Sequence, residues 1–248
     1  MNVIYILWLR ALKHWIRSPA QIVASFGQPL LYLVALGYGL GSVFAKAGNG
    51  SYLQFLAPGV IAMTVLFSGA FSGIGLIWDR QFGFLKETLV APVPRLQVMI
   101  GRTLGGATVA MAQGLLVFIL CVAFGFRPTT IAAVPVFVLI LALIAIVFCA
   151  FGTAIGSRME SMQAFPIIMN FVMMPLFFLS GALFPLQGLP VALRAIVNLN
   201  PLSYGVDGLR GSLIGASHFG LPWDIGVLAV VAVAFMALGA WSFSKIEL

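Results

Sequence analysis

The chain has 248 residues, of which 62% are hydrophobic and only 8% are charged, and its mean hydropathy is +1.12. A water-soluble domain of this length cannot bury so much apolar surface, so a soluble fold is excluded. The alternating pattern of membrane β-barrel strands is also absent. The composition therefore predicts an all-α membrane protein, and the formal net charge of +7 requires no nucleic-acid partner.

Residues 1–19 predict an amphipathic helix that lies in the membrane interface. Placed on a helix, its basic and apolar residues fall on opposite faces: Arg10, Lys13, His14 and Arg17 on one, and Trp8, Ala11, Leu12 and Trp15 on the other. Such a helix turns its cations toward anionic headgroups, so membrane lipid is an expected partner. The alternative is a cleaved signal peptide, because Ala45-Lys46-Ala47 resembles a cleavage site. The preceding apolar run of about 22 residues exceeds the roughly 7–15 of a signal sequence, which favours an uncleaved span.

Six apolar stretches are long enough to cross a bilayer, which requires about 20 residues per helix. Helices are favoured because every backbone N–H and C=O must be paired within its own segment in lipid. The predicted spans are 20–41, 55–77, 104–125, 132–156, 164–184 and 224–244. The whole chain, 1–248, is thus predicted to form one transmembrane domain of six helices.

The basic residues are distributed unevenly over the two sides of this topology. One side receives Arg10, Lys13, Arg17, Arg80, Lys86, Arg95, Arg102, Arg158 and Lys245, and the other receives Lys46, Arg127, Arg194 and Arg210. Because basic residues concentrate in cytoplasmic loops, both termini and residues 79–102 are predicted to be cytoplasmic.

The 79–102 loop is a polar island that holds six of the 19 charged residues (13 basic plus 6 acidic). Residues 84–89 predict a short amphipathic helix, which is ended by Pro92 and Pro94. An apolar face on a cytoplasmic helix is typical of a docking surface. The candidate docking residues are Phe84, Leu85, Glu87, Thr88 and Leu89.

Residues 185–222, the outer segment, are too long for a turn and too interrupted for a span. Prolines divide the segment, and we predict a short helix over 189–199 and a second one from 204 to about 214, with Ser203 as its N-cap. Two such helices fit a re-entrant hairpin in the outer leaflet before the last span. Its polar residues Arg194, Tyr204, Asp207 and Arg210 are candidates for an outer gate, and the alternative is a cap that only covers the span ends.

Asp207 and Arg210 lie three residues apart, close enough to form an ion pair on a helix. A charge in a low-dielectric setting needs a partner, because an unpaired one is costly. We therefore predict that Asp207 pairs with Arg210 or with Arg194.

Other polar residues give no sign of chemistry in this chain. Cys121 and Cys149 fall inside apolar spans, and neither His14 nor His218 has a second ligand at metal spacing, so no metal site is predicted. No phosphate-binding loop of the form Gly-x-x-x-x-Gly-Lys-Ser/Thr occurs in the sequence. No carboxylate lies in the middle of a predicted span, where it would indicate a proton relay. Glycine pairs four residues apart predict helix contacts at Gly37/Gly41, Gly69/Gly73, Gly101/Gly105 and Gly152/Gly156.

Two motifs give the chain a family resemblance that covers nearly all of it. The stretch Asp79-Arg80-x-x-Gly83-Phe84-Leu85-Lys86-Glu87-x-Leu89-x-x-Pro92-x-x-Arg95 resembles the cytoplasmic signature of the ABC type 2 transporter permeases. The stretch Asn200-Pro201-Leu202-Ser203-Tyr204-x-x-Asp207-x-x-Arg210 resembles their second signature. Within this family the chain is most similar to permeases of the daunorubicin-resistance and nodulation-factor export type.

The resemblance implies a membrane-spanning permease subunit of an ATP-driven exporter in a bacterial inner membrane. Its substrate would be hydrophobic or amphipathic, such as a drug, a lipid or a lipid-linked glycan. The family works as a homodimer with two copies of an ABC ATPase, which would bind ATP and Mg²⁺, so the chain itself would not be an enzyme.

The same resemblance implies a substrate path at the dimer interface, lined mainly by spans one, two and five. Candidate lining residues are Tyr32, Tyr38, Met63, Phe67, Phe71, Met173, Met174, Phe177 and Phe178. Met and aromatic side chains adapt to varied apolar cargo, although the same residue types also pack cores or face lipid. Two other function classes remain as alternatives: a self-contained channel or secondary transporter, and an intramembrane enzyme.

Overall fold

The computed structural model describes residues 3–39, 41, 51–84, 93–129, 133–186 and 190–244. All regular secondary structure in these residues is helical, which confirms the all-α prediction. The helices are α1 Val3–Ile16, α2 Pro19–Ser25, α3 Gly27–Leu31, a π-helix Tyr32–Tyr38, α4 Tyr52–Phe71, α5 Ile74–Gln81, α6 Arg95–Ala123, α7 Val134–Arg158, α8 Ala164–Phe178, α9 Val191–Leu199, α10 Pro201–Ile214 and α11 Leu221–Ser244.

Among the described residues, five helical segments are long and apolar enough to cross a membrane, which supports a multi-pass membrane protein. They are Pro19–Tyr38, Tyr52–Gln81, Arg95–Ala123, Val134–Arg158 and Leu221–Phe243. The predicted fifth span, 164–184, contains only the 15-residue helix α8. The count of six spans is therefore not confirmed.

Helix α8 ends early because the chain turns at Ser180 and Gly181. The Ser180 hydroxyl donates to the Phe177 carbonyl at 2.7 Å, and Gly181 adopts a left-handed φ of 75°. The following Ala182 and Leu183 are buried against α4, where the Tyr52 hydroxyl donates to the Leu183 carbonyl at 3.1 Å. Ala182 and Leu183 are therefore apolar because they pack inside the protein, whereas Phe184 is 53% exposed.

The core forms where α4 packs against α6 and α7; α10 packs on both α4 and α7, and α11 packs on α6, α7 and α10. At the cytoplasmic end predicted from the charges, the α4–α5 segment crosses α7 in backbone contact. A Cβ atom at Gly73 would overlap the Gly152 carbonyl oxygen, and one at Gly152 would overlap the Ala70 carbonyl oxygen. Gly69 and Gly156 lie in the same crossing, so two of the predicted glycine pairs form one helix contact.

Helix α1 packs along α6 over the third predicted pair, Gly101 and Gly105. The Trp8 indole N–H donates to the Thr108 hydroxyl at 3.0 Å and fixes the two helices side by side. The basic face of α1 stays exposed, while its apolar face is partly covered by α6. An amphipathic helix is thus present over Val3–Ile16 of the predicted range 1–19, and it packs on α6.

Candidate functional site

Helices α5 and α6 extend into the predicted 79–102 loop, and at its start, in the last turn of α5, three charges from three different helices form a cluster. Asp79 of α5 is buried, and its carboxylate accepts hydrogen bonds from Arg10 of α1 at 3.0 and 3.4 Å. Arg102 of α6 also donates to this carboxylate, at Oδ2. Side-chain exposure is 10% for Asp79, 15% for Arg102 and 54% for Arg10, so the pair with Arg102 is the well-shielded one. Charge-assisted bonds of this kind fix geometry strongly.

The next two residues attach the loop to the end of α7. Arg80 donates to the carbonyl oxygens of Met159 and Ser157 at 3.3 and 3.4 Å. Gln81 donates to the Glu160 carbonyl at 3.0 Å. A cation at a helix C-terminus is favoured by the partial negative charge of the unpaired carbonyls there. The beginning of the loop is therefore bonded to α1, α6 and α7.

The sequence placed Asp79 in a motif without indicating its role, and it did not predict that Arg10 and Arg102 both bond to Asp79. These three residues are far apart in sequence, so no local spacing indicates that they meet. The available signal was the rarity of charge in the chain, because a carboxylate beside an apolar span needs a partner.

The predicted docking residues lie mostly outside the described part of the chain. Leu85, Glu87, Thr88 and Leu89 fall in 85–92, which the structure does not describe. Phe84 is described: it is 52% exposed, and the Arg10 guanidinium lies 6.0 Å from its ring centre. The docking role of this helix stays a prediction.

The second polar cluster forms where α9 meets α10 at Asn200. The Asn200 side chain accepts from the Leu202 amide at 3.0 Å and donates to the Leu176 carbonyl of α8 at 2.7 Å. Asn200 is therefore the N-cap of α10, and the predicted cap Ser203 is wrong. Ser203 is instead buried inside α10, because the helix already begins at Pro201.

The predicted ion pair of Asp207 is wrong as well. In the described residues Asp207 forms no ion pair with Arg210 or Arg194; its carboxylate accepts from the Ser217 hydroxyl and the His218 and Phe219 amides at 2.8–3.0 Å. Arg210 donates to the carbonyls of Phe55 and Gly181 at 3.3 and 3.1 Å and lies 4.0 Å from the Phe55 ring centre. The Asp207 carboxylate is thus bonded by backbone amides of the chain before α11, and the Arg210 guanidinium by backbone carbonyls of α4 and of the turn after α8.

The other two gate candidates occupy opposite environments. Tyr204 is buried and donates to the Asn198 carbonyl at 2.7 Å, which bridges α9 and α10. Arg194 lies on the exposed surface of α9. Asn200, Tyr204, Asp207 and Arg210 therefore tie α10 to α8, α9, α4 and the chain before α11, whereas Arg194 is not part of this network.

Each polar cluster contains residues of one of the two motifs. Comparison with known proteins agrees with the family resemblance of these motifs. The family model described as ABC-2 type transporter matches residues 2–214. The chain belongs to the ABC-2 type transporter family. This confirms the resemblance drawn from the motifs.

Relatives of this permease align along most of its length. It is similar to the inner membrane transport permease YadH of Escherichia coli K12, at 30% identity over 243 residues, which cover 95% of this chain and 92% of that protein. Nodulation protein J of Rhizobium leguminosarum bv. viciae is 28% identical over 232 residues, 92% of this chain and 88% of that protein. The putative transport permease ycf38 of Porphyra purpurea is 31% identical over 206 residues, 80% of this chain and 69% of that protein.

The candidate path residues of the permease divide into a buried and an exposed group. Met63, Met173 and Phe177 are buried in the core of the single chain. Tyr38, Met174 and Phe178 are 63%, 44% and 40% exposed. The partly buried residues are Tyr32, whose ring packs edge-on against Phe177, and Phe67 and Phe71, whose rings stack. Only the exposed residues lie on a surface that a second chain or a substrate can reach without repacking.

Proposed function

We propose that this permease is the membrane-spanning subunit of an ATP-driven exporter, with ATP and Mg²⁺ bound by two copies of a separate ATPase subunit. The observation that carries the proposal is the bonding of Asp79 and Arg80, at the start of the 79–102 loop, to three helices. When the ATPase moves the loop, the hydrogen bonds of Asp79 and Arg80 would move α1, α6 and α7 together with it.

We place the energy source on a separate subunit, since no phosphate-binding loop occurs in these 248 residues. The predicted apolar face of residues 84–89 would supply a surface for such a partner, with Phe84, Leu85 and Leu89 in a groove of the ATPase and Glu87 meeting a basic or hydrogen-bonding group there. The orientation that follows from the basic residues puts this surface in the cytoplasm, where ATP is available.

A second copy of the permease would complete the transport path. The surface of α8 that is left uncovered by the chain itself is mostly apolar, with Asn170 as a polar exception: Ile167, Phe171 and Met174 are 71%, 81% and 44% exposed. Apolar side chains of this kind suit a hydrophobic or amphipathic cargo, a drug, a lipid or a lipid-linked glycan, moved from the cytoplasm or the inner leaflet outward. The similarity to an inner membrane transport permease supports a bacterial inner-membrane location.

Reconstitution of the permease with its ATPase in proteoliposomes tests the proposal. ATP hydrolysis should be stimulated by a member of a panel of apolar drugs, lipids and lipid-linked glycans, and that compound should accumulate on the opposite side only when ATP is hydrolysed. Transport driven by an ion gradient without ATP would instead identify a secondary transporter.

A further inference from the structure

Asn170 is an amide in the predicted fifth span that faces away from the rest of the chain. It lies near the middle of α8, about 9 Å along the axis from the start of the helix at Ala164. The residue is exposed, and its side chain has no hydrogen-bond partner among the described residues. Lipid acyl chains offer an amide neither a donor nor an acceptor. A group outside the single chain is therefore needed to satisfy Asn170.

The exposed neighbours of Asn170 on α8 are apolar. Ile167, Phe171 and Met174 are 71%, 81% and 44% exposed. Positions 167, 170 and 174 are three and four residues apart, which is the spacing of the core positions where two helices pack side by side. These four residues form one face, the α8 seam, in which Asn170 is the polar member. The seam thus has the pattern of a helix–helix contact and not of a surface that faces only lipid.

A second copy of the chain brings a matching group to the α8 seam. Two copies that are inserted with the same orientation and related by a two-fold axis along the membrane normal place Asn170 at the same depth. Each amide carries both a donor and an acceptor, so two Asn170 side chains are complementary to each other. Helix α8 has no charged residue, so no charge repulsion opposes the approach of the two seams. The occupant that fits this seam is therefore a second α8.

Gln28 of α3, inside the first predicted span, provides a contrast. It is also exposed, but its Nε2 donates to the Met63 sulfur of the same chain at 3.9 Å. Within the described part of the chain, the Asn170 amide has no such contact. An unsatisfied amide on a membrane helix promotes association with another helix whose polar groups it can bond. Helix α8, and not α3, therefore carries the unmet hydrogen-bonding requirement.

We propose that α8 packs against α8 of a second copy of this chain, with the two Asn170 side chains hydrogen-bonded to each other across the interface. The pairing sets the register of the two helices, because a shift by one turn would leave both amides among apolar side chains. This inference rests on the second copy that the proposed function includes, and it names the helix and the residue that hold the copies together. It depends on neither the substrate nor the ATPase.

The strength of dimerisation in lipid tests the role of Asn170. Donor- and acceptor-labelled full-length permease in liposomes should show energy transfer that falls as the protein is diluted with lipid. Asn170→Leu should dimerise about 3- to 20-fold more weakly than the wild type, whereas Asn170→Gln, which keeps the amide, should lose less. Val230→Leu is the control, because Val230 is 70% exposed on α11 and carries no polar group, and it should dimerise as the wild type does. A wild type without energy transfer at any dilution, or unchanged dimerisation of Asn170→Leu, would overturn the proposal.

Cross-linking locates the contact. In a background without Cys121 and Cys149, oxidation should link Asn170→Cys into a dimer and leave Val230→Cys monomeric on a denaturing gel. A dimeric wild type whose Asn170→Cys variant fails to cross-link would overturn the proposal. A transport defect of Asn170→Leu with unchanged dimerisation would do the same and would assign Asn170 to the cargo. These outcomes leave ATP-driven export intact, whereas a cross-linked dimer without ATP-dependent transport would contradict the proposed function and not this contact.

Discussion

Asp79 of α5 and Arg10 of α1 are 69 residues apart in sequence, and their side chains meet at 3.0 Å at the start of the 79–102 loop. The contact joins the N-terminal helix to the loop that carries the first family motif. Arg102 of α6 completes the cluster by donating to Oδ2 of Asp79. The motif residue Asp79 thus acts as the point where three helices and the loop are joined.

We expect Asp79→Ala to destabilise the permease by about 3 kcal/mol, because it leaves the shielded Arg102 without its counter-charge. Arg10→Ala should cost less than about 1 kcal/mol, since Arg10 is half exposed and Arg102 still neutralises Asp79. Thermal unfolding of the purified variants in detergent measures both. Equal losses of unfolding free energy in the two variants would show that Arg102 does not require Asp79 as its counter-charge.

The crossing of the α4–α5 segment with α7 gives a prediction with a control two residues from Gly73. Gly73→Ala and Gly152→Ala should each cost about 1–3 kcal/mol, because the new methyl group meets backbone carbonyl atoms that cannot move aside independently. Gly75→Ala should be neutral or slightly stabilising, because its Cβ meets no atom within 4 Å and alanine favours the helix. Unfolding midpoints of the three variants should separate accordingly, and similar values for Gly73→Ala and Gly75→Ala would contradict the close crossing.

Asp207→Ala should destabilise the outer segment by about 1–3 kcal/mol, because the amides of His218 and Phe219 lose their acceptor. Exchange of the two charges, Asp207→Arg with Arg210→Asp, should not restore stability or transport. The reason is that Asp207 and Arg210 bind different backbone groups and do not form an ion pair with each other. Recovery of the doubly reversed protein, measured by unfolding and by export, would restore the ion-pair hypothesis.

Some features of the fold were accessible from the sequence because they depend on composition or on spacing within a helix. Hydropathy predicted the all-α membrane class, and the four-residue spacing of Gly69/Gly73 and Gly152/Gly156 predicted a helix contact. The facing of Arg10, Lys13 and His14 away from Trp8 followed from helical periodicity. The break at Asn200-Pro201 followed from the restriction that proline imposes on the residue before it.

Other features depend on contacts between distant segments, which spacing does not encode. Residues 179–184 are as apolar as a span, yet they turn at Gly181 and pack on Tyr52. Asp207 and Arg210 are placed for an i, i+3 pair, but backbone amides and carbonyls from other parts of the chain bond to them instead. Asp224 was counted as the end of a span because hydropathy ignores a single carboxyl group.

Cysteine labelling tests the orientation. In a background without Cys121 and Cys149, single cysteines at positions 46 and 127 and in 186–222 should react with an impermeant reagent from outside. Positions in 79–102 and 157–163 should react only after the membrane is opened. Outside labelling of position 87 would reverse the orientation and remove the basis for a cytoplasmic ATPase on this loop.

Coupling through the 79–102 loop is tested most directly by Glu87→Arg in permease reconstituted with its ATPase. The variant should fold and insert as the wild type does, yet hydrolyse ATP without moving substrate, because the reversed charge no longer fits its polar partner. Glu247→Arg, the same change near the C-terminus, should transport normally and serves as the control. The measured quantity is substrate moved per ATP hydrolysed: we expect it to fall toward zero for Glu87→Arg alone, and a wild-type ratio would contradict ATP-driven export through this loop.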